Sequence, residues 1–96
     1  GDNKMAEEIV KVHTQNNFSF IENESDIVSV QLANGNIESK EQVIAWLDLN
    51  LRYFFTTSSY SEADVEAVHP DYPEKSYIRT VPNATTSDNL LSLPRF

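Results

Sequence analysis

The sequence predicts an α+β domain: an antiparallel sheet of about five or six strands, one main helix packed on one face and a short C-terminal helical turn. Three observations point there. Several short runs alternate apolar and polar residues with a period of two. One stretch alone has apolar residues three and four apart behind a capping residue. Turn signals built from Asn, Gly and Pro separate the runs.

Taken in order, I-V-K-V-H-T (residues 9–14) alternates, with Val10, Val12 and Thr14 on one face and Ile9, Lys11 and His13 on the other. Asn16-Asn17 supplies turn residues that tolerate positive φ, and F-S-F-I-E resumes the alternation, so a hairpin is expected. After a polar break at residues 22–26, I-V-S-V-Q-L places Val28, Val30 and Leu32 on a common face, and Asn34-Gly35 ends that strand in a tight turn. Ser39 with Gln42 forms a capping-box signature, predicting a helix from that point. Its stripe is Val43, Ile44, Leu47 and Leu51, with Trp46 off the stripe's centre and its indole N–H at the rim.

R-Y-F-F-T-T reads as a strand directly after the helix. Tyr53, Phe54 and Phe55 are consecutive, so they cannot share one face, and at least one must point to the other side of the sheet or to a partner. A-D-V-E-A-V and S-Y-I-R-T-V form a second hairpin around H-P-D-Y-P-E-K, and Pro82 ends its last strand. In S-D-N-L-L-S-L-P, Asp88 is placed to cap a helical turn, Leu90, Leu91 and Leu93 supply apolar contacts, and Pro94 stops the turn. The tail is thus expected to act as a latch over an open hydrophobic edge, with Arg79 pairing to Asp88.

Composition narrows the function classes. The 96 residues fit one domain, and 40% hydrophobic content with two glycines and four prolines argues against disorder. The absence of cysteine removes disulfides, thiolate metal sites and a Cys nucleophile, and suits a reducing cytoplasm. No run approaches the roughly 20 apolar residues of a membrane span. A net charge of −8 argues against direct nucleic-acid binding. It leaves acidic mimicry of a nucleic-acid backbone as one alternative function.

The charge is uneven: fourteen acids face four bases in residues 1–74, and one acid faces three bases in residues 75–96. Asp64, Glu66, His69 and Asp71 could serve a small enzyme or a metal-binding protein, but Asp64 and Glu66 share a strand face and no H-x-x-x-H or calcium-loop pattern is present. His13 and His69 read as surface residues, with no G-x-S-x-G elbow nearby. No phosphate-binding glycine loop exists with only Gly1 and Gly35, and no cofactor is expected. Three Asn-x-Ser/Thr sequons, at Asn17, Asn23 and Asn83, are what chance provides in an Asn-rich chain.

The run Y-I-R-T-V-P-N-A-T-T-S-D-N-L-L-S-L-P-R-F, residues 77–96, resembles the C-terminal signature of a family of short, mostly bacterial proteins known as domain of unknown function 3892. Residues 26–47, D-I-V-S-V-Q-L-A-N-G-N-I-E-S-K-E-Q-V-I-A-W-L, are similar to that family's strand, glycine turn and Ser-capped helix. The resemblance implies a stand-alone cytoplasmic domain with Tyr77, Arg79, Asp88, Asn89, the three leucines and Pro94 as its structural signature. It brings no catalytic residue or cofactor. From the residues themselves, the expectation is a non-catalytic protein-interaction or accessory module, acting on an unknown protein partner or as a homodimer. Trp46, Tyr53, Phe54 and Phe55 are the surface candidates.

Overall fold

The computed structural model describes residues 6–15, 22–82 and 89–96. Its strands are β1 (Ala6–Thr14), β2 (Ile27–Leu32), β3 (Ile37–Ser39), β4 (Arg52–Thr56), β5 (Glu62–Val68) and β6 (Tyr77–Thr80). They form one sheet in the order β3-β2-β1-β4-β5-β6, against which α1 (Lys40–Asp48) packs. Short 3₁₀ turns occupy Glu24–Asp26 and Leu90–Ser92. The expected strand at residues 18–22 falls largely outside the described residues. Among the described residues no helix is long and apolar enough to cross a membrane.

The expectation of an antiparallel sheet needs correction, because β1 and β4 run parallel, with Ala6 opposite Arg52 and Glu8 opposite Phe54. Connectivity explains why. β3 is antiparallel to β2, and β2 to β1, so β3 runs in the direction of β1. The helix α1 then carries the chain over the sheet, and a helical crossover delivers the next strand in the direction of the last. Every other pairing is antiparallel, and the sheet is mixed.

Two irregularities in the β1–β2 ladder correct the predicted faces. The register shifts between Ile9 and Lys11 and again between His13 and Thr14. Each extra residue resets the alternation, so positions three apart point inward together. Ile9 and Val12 are both fully buried, as are Ile27 and Val30, whereas Val10 and Val28 are only half-buried. A strict period of two assigns Ile9 to the wrong side of β1 and puts Val28 in place of Ile27 on β2.

The helix begins as its sequence dictates: Gln42 N–H donates to Ser39 Oγ at 3.1 Å, and Ser39 N–H donates to Gln42 Oε1 at 2.8 Å. It ends sooner than the apolar stripe suggests. Asn50 adopts φ 68°, its N–H donates to the Leu47 carbonyl, and Leu51 N–H donates to the Trp46 carbonyl. This αL closure makes Leu51 the residue that folds back onto the core after the helix rather than a member of its stripe.

The core gathers Ile9, Val12, Ile27, Val30, Leu32 and Val43 with Tyr53, Phe55, Val65, Ile78 and Leu90. Leu90 belongs to the tail, and its complete burial makes the tail part of the core. Residues 94–96 then run beside the second half of β1. Val12 N–H donates to the Pro94 carbonyl at 3.0 Å and Phe96 N–H to the Val12 carbonyl at 3.2 Å, a parallel bridge of Val12 with Arg95. β4 pairs only with the first three residues of β1, so the tail occupies the edge that β4 leaves open. That is the expected latch, made by backbone pairing as well as by leucines.

Candidate functional site

The latch is held by residues that lie in the polar break before β2. Arg95 donates to the carbonyls of Leu91 and Leu93 at 2.9 and 2.8 Å and to Glu22 Oε1 at 2.9 Å. The other oxygen of Glu22 accepts from the Thr14 hydroxyl. The Thr14 and Arg95 hydrogen bonds together hold the Glu22 carboxyl below its usual range. Two residues on, Glu24 Oε2 accepts from Thr80 N–H at 2.8 Å, from the Thr80 hydroxyl at 2.6 Å and from Leu90 N–H at 3.4 Å. One carboxylate therefore joins the end of β6 to the start of the last turn.

The cap of that turn is Asn89, whose side-chain oxygen accepts from Leu91 N–H at 2.7 Å, and this corrects the assignment to Asp88. Asn at that position provides the acceptor directly. Asp88 lies outside the described residues. Arg79 donates to Glu66 Oε2 at 2.5 Å, its cross-strand neighbour on β5; its expected pairing with Asp88 lies outside the described residues.

Of the aromatic candidates, Tyr53 and Phe55 point into the core, and the Tyr53 hydroxyl donates to Glu38 Oε1 at 2.5 Å. Burial first, and then the bond to Glu38, raise the Tyr53 pKa far above the ordinary value. Neither ring offers itself to a partner, which corrects their place among surface candidates. Phe54 alternates to the other face and lies half-buried, with the Arg52 guanidinium 4.5 Å above its ring. Arg52 also donates to Asp64 and Glu62, both at 2.8 Å. Trp46 is 38% exposed on α1. Tyr77 is half-buried, next to Ile78 of the core.

The predicted acidic cluster does not assemble. Asp64 answers to Arg52, Glu66 to Arg79, and Asp71 sits exposed in the turn after β5. Among the described residues, no group of three or more His, Asp or Glu is placed to hold a metal ion. His69 instead turns toward two residues that sequence reading passed over. Its Nδ1 lies 2.8 Å from Ser76 Oγ and its Nε2 lies 2.9 Å from Asp48 Oδ1.

Three elements build this arrangement. Lys40, Ile44 and Asp48 are four residues apart and so share one flank of α1. Both ends of the connection from β5 to β6, residues 69–76, reach that flank: His69 meets Asp48, and Glu74, Lys75 and Ser76 face Lys40, Glu41 and Ile44. Between them is a partly open groove of about 450 Å³, lined by Lys40, Glu41, Ile44, Glu74, Lys75 and Ser76. An ionised carboxylate only accepts hydrogen bonds, so when the imidazole is neutral Asp48 selects the tautomer with its hydrogen on Nε2. Nδ1 is left as the acceptor for the Ser76 hydroxyl.

A family model covers residues 8–94, nearly the whole chain. The chain belongs to the family described as protein of unknown function, DUF3892. The DUF3892 match takes in the groove, the Phe54 face, Glu22 and Glu24, and the tail as far as Pro94. No curated protein and no solved structure matches the chain.

Proposed function

We propose that this DUF3892 domain is a protein-interaction or accessory module whose working surface is the groove between α1 and residues 69–76. The reading rests on the groove itself. About 450 Å³ lies within the range in which ligand sites hold a side chain or a small molecule. Ile44 gives the groove an apolar wall, and each rim carries one Lys and one Glu: Lys40 with Glu41 on the helix, Lys75 with Glu74 on the connection. The complementary occupant is a short extended segment of a partner protein, with one apolar side chain between charged neighbours of both signs.

Selection from a random peptide display library, followed by titration of the enriched peptides, tests this. Enriched peptides should share an apolar residue between charges and lose at least ten-fold in affinity for Ser76→Trp, which fills the groove from its rim. No enrichment, or peptides indifferent to Ser76→Trp, would refute the proposal.

A further inference from the structure

We propose that Ser76 is an acyl-transfer nucleophile, activated by His69 and positioned through Asp48, toward a carboxylic ester bearing a negative charge on its acyl chain. The inference rests on the groove being a ligand site and goes beyond docking. Nucleophile, base and orienting carboxylate stand in sequence at 2.8 and 2.9 Å, within the hydrogen-bond reach that such relays require. The tautomer selected by Asp48 presents the bare Nδ1 to the serine hydroxyl, the state a general base must have. Ser76 is hydrogen-bonded to His69 and also lines the groove, which places the nucleophile beside the space where a ligand would lie.

The lining sets the substrate class. Ile44 accepts the apolar part of an acyl chain, while the ammonium groups of Lys40 and Lys75 suit its carboxylate and the charge that develops on the carbonyl oxygen. In the first step Ser76 Oγ bonds to the carbonyl carbon as His69 Nδ1 takes the hydroxyl proton. The ester C–O bond then breaks, and the proton passes from Nδ1 to the departing alkoxide, releasing an alcohol. In the second step water adds to the acyl-serine and gives its proton to Nδ1. The Ser76 oxygen leaves and recovers that proton, freeing a carboxylic acid.

His69 and Asp48 side chains are 52% and 50% exposed, so their replacement should leave the fold standing, which circular dichroism checks for each variant. The purified protein is treated with a fluorophosphonate probe, which reacts with activated serines, and mapped by mass spectrometry. It is assayed in parallel with the mono-p-nitrophenyl ester of glutaric acid. A single adduct on Ser76 is expected, absent in Ser76→Ala and formed at least ten-fold more slowly in His69→Ala, with added imidazole restoring the rate. Asp48→Asn should lower the rate and alter its pH profile. No adduct, an adduct elsewhere, or a rate indifferent to His69 would overturn the proposal. Labelling without peptide enrichment would remove the docking reading and leave the chemistry; enrichment without labelling would do the reverse.

Discussion

Replacing Leu90 with alanine tests whether the tail is structural core. Leu90 is 0% exposed and packs in the same cluster as Ile27 and Ile78. Removing a buried leucine side chain costs about 2–5 kcal/mol, depending on how far the site can collapse. Leu90 sits in a turn pinned by Asn89 and Glu24, so the backbone is not free to sink into the space, and a loss of about 3 kcal/mol is expected. A domain of this size holds about 5–15 kcal/mol in all. At about 4–8 °C per kcal/mol, the melting temperature should fall by about 12–24 °C.

Urea unfolding followed by circular dichroism and by the fluorescence of the single tryptophan, Trp46, measures the change directly. Leu91→Ala, at a half-buried neighbour, serves as the comparison and should cost clearly less. A Leu90→Ala loss below about 1 kcal/mol, or one equal to that of Leu91→Ala, would refute the claim that the tail completes the core.

Four further outcomes follow from the geometry. Glu24→Ala removes an acceptor shared by the Thr80 N–H, the Thr80 hydroxyl and, as the longer of its two bonds, the Leu90 N–H, and should cost about 1–3 kcal/mol in urea unfolding. Arg79→Ala should cost less than Glu24→Ala in the same assay, because it breaks a half-exposed pair with Glu66 on the sheet surface. The lowered pKa of Glu22 stabilises the fold at pH above its ordinary 4.5, and this contribution disappears as pH falls through the depressed folded value. Urea midpoints measured from about pH 6 to about pH 2 should therefore fall less steeply for Glu22→Gln than for the wild type. The raised pKa of Tyr53 acts in the opposite direction: its contribution is complete below the ordinary 10.0 and is lost as pH rises toward the folded value. Absorbance at the phenolate band during alkaline titration should show Tyr53 ionising only as the protein unfolds.

What the sequence made most legible is what local chemistry determines. The Ser39–Gln42 cap and the Asn34-Gly35 turn, with Gly35 at φ 92°, depend on neighbours a few residues away, whereas strand alternation showed that the three consecutive aromatics must split between faces without showing that Phe54 is the one turned out. β3 escaped because three residues are too few to show a period. The parallel β1–β4 pair escaped because direction is decided by the crossover, and the faces of β1 and β2 were misread because a bulge leaves no compositional trace. The candidate site was the least legible part: Asp48, His69 and Ser76 come from a helix and both ends of a connection, and only the fold brings them together. The shared flank of Lys40, Ile44 and Asp48 was the one part of that site their spacing could have revealed.

The bridge between Val12 and Arg95 also bears on the order in which the molecule forms. Hairpins such as β5–β6 close over short stretches of chain, but the contact of His13 with Phe96 spans 83 residues. Contacts that distant are expected to form after such hairpins, since the closure cost grows with the length of chain enclosed. Without the docked tail, the outer edge of β1 lacks its Val12–Arg95 bridge and the core lacks Leu90, and an open strand edge beside apolar surface is the kind of feature on which a second chain can pair. The yield of native protein on refolding, more than the final stability, is where weakening of Arg95 or Glu22 should first be felt.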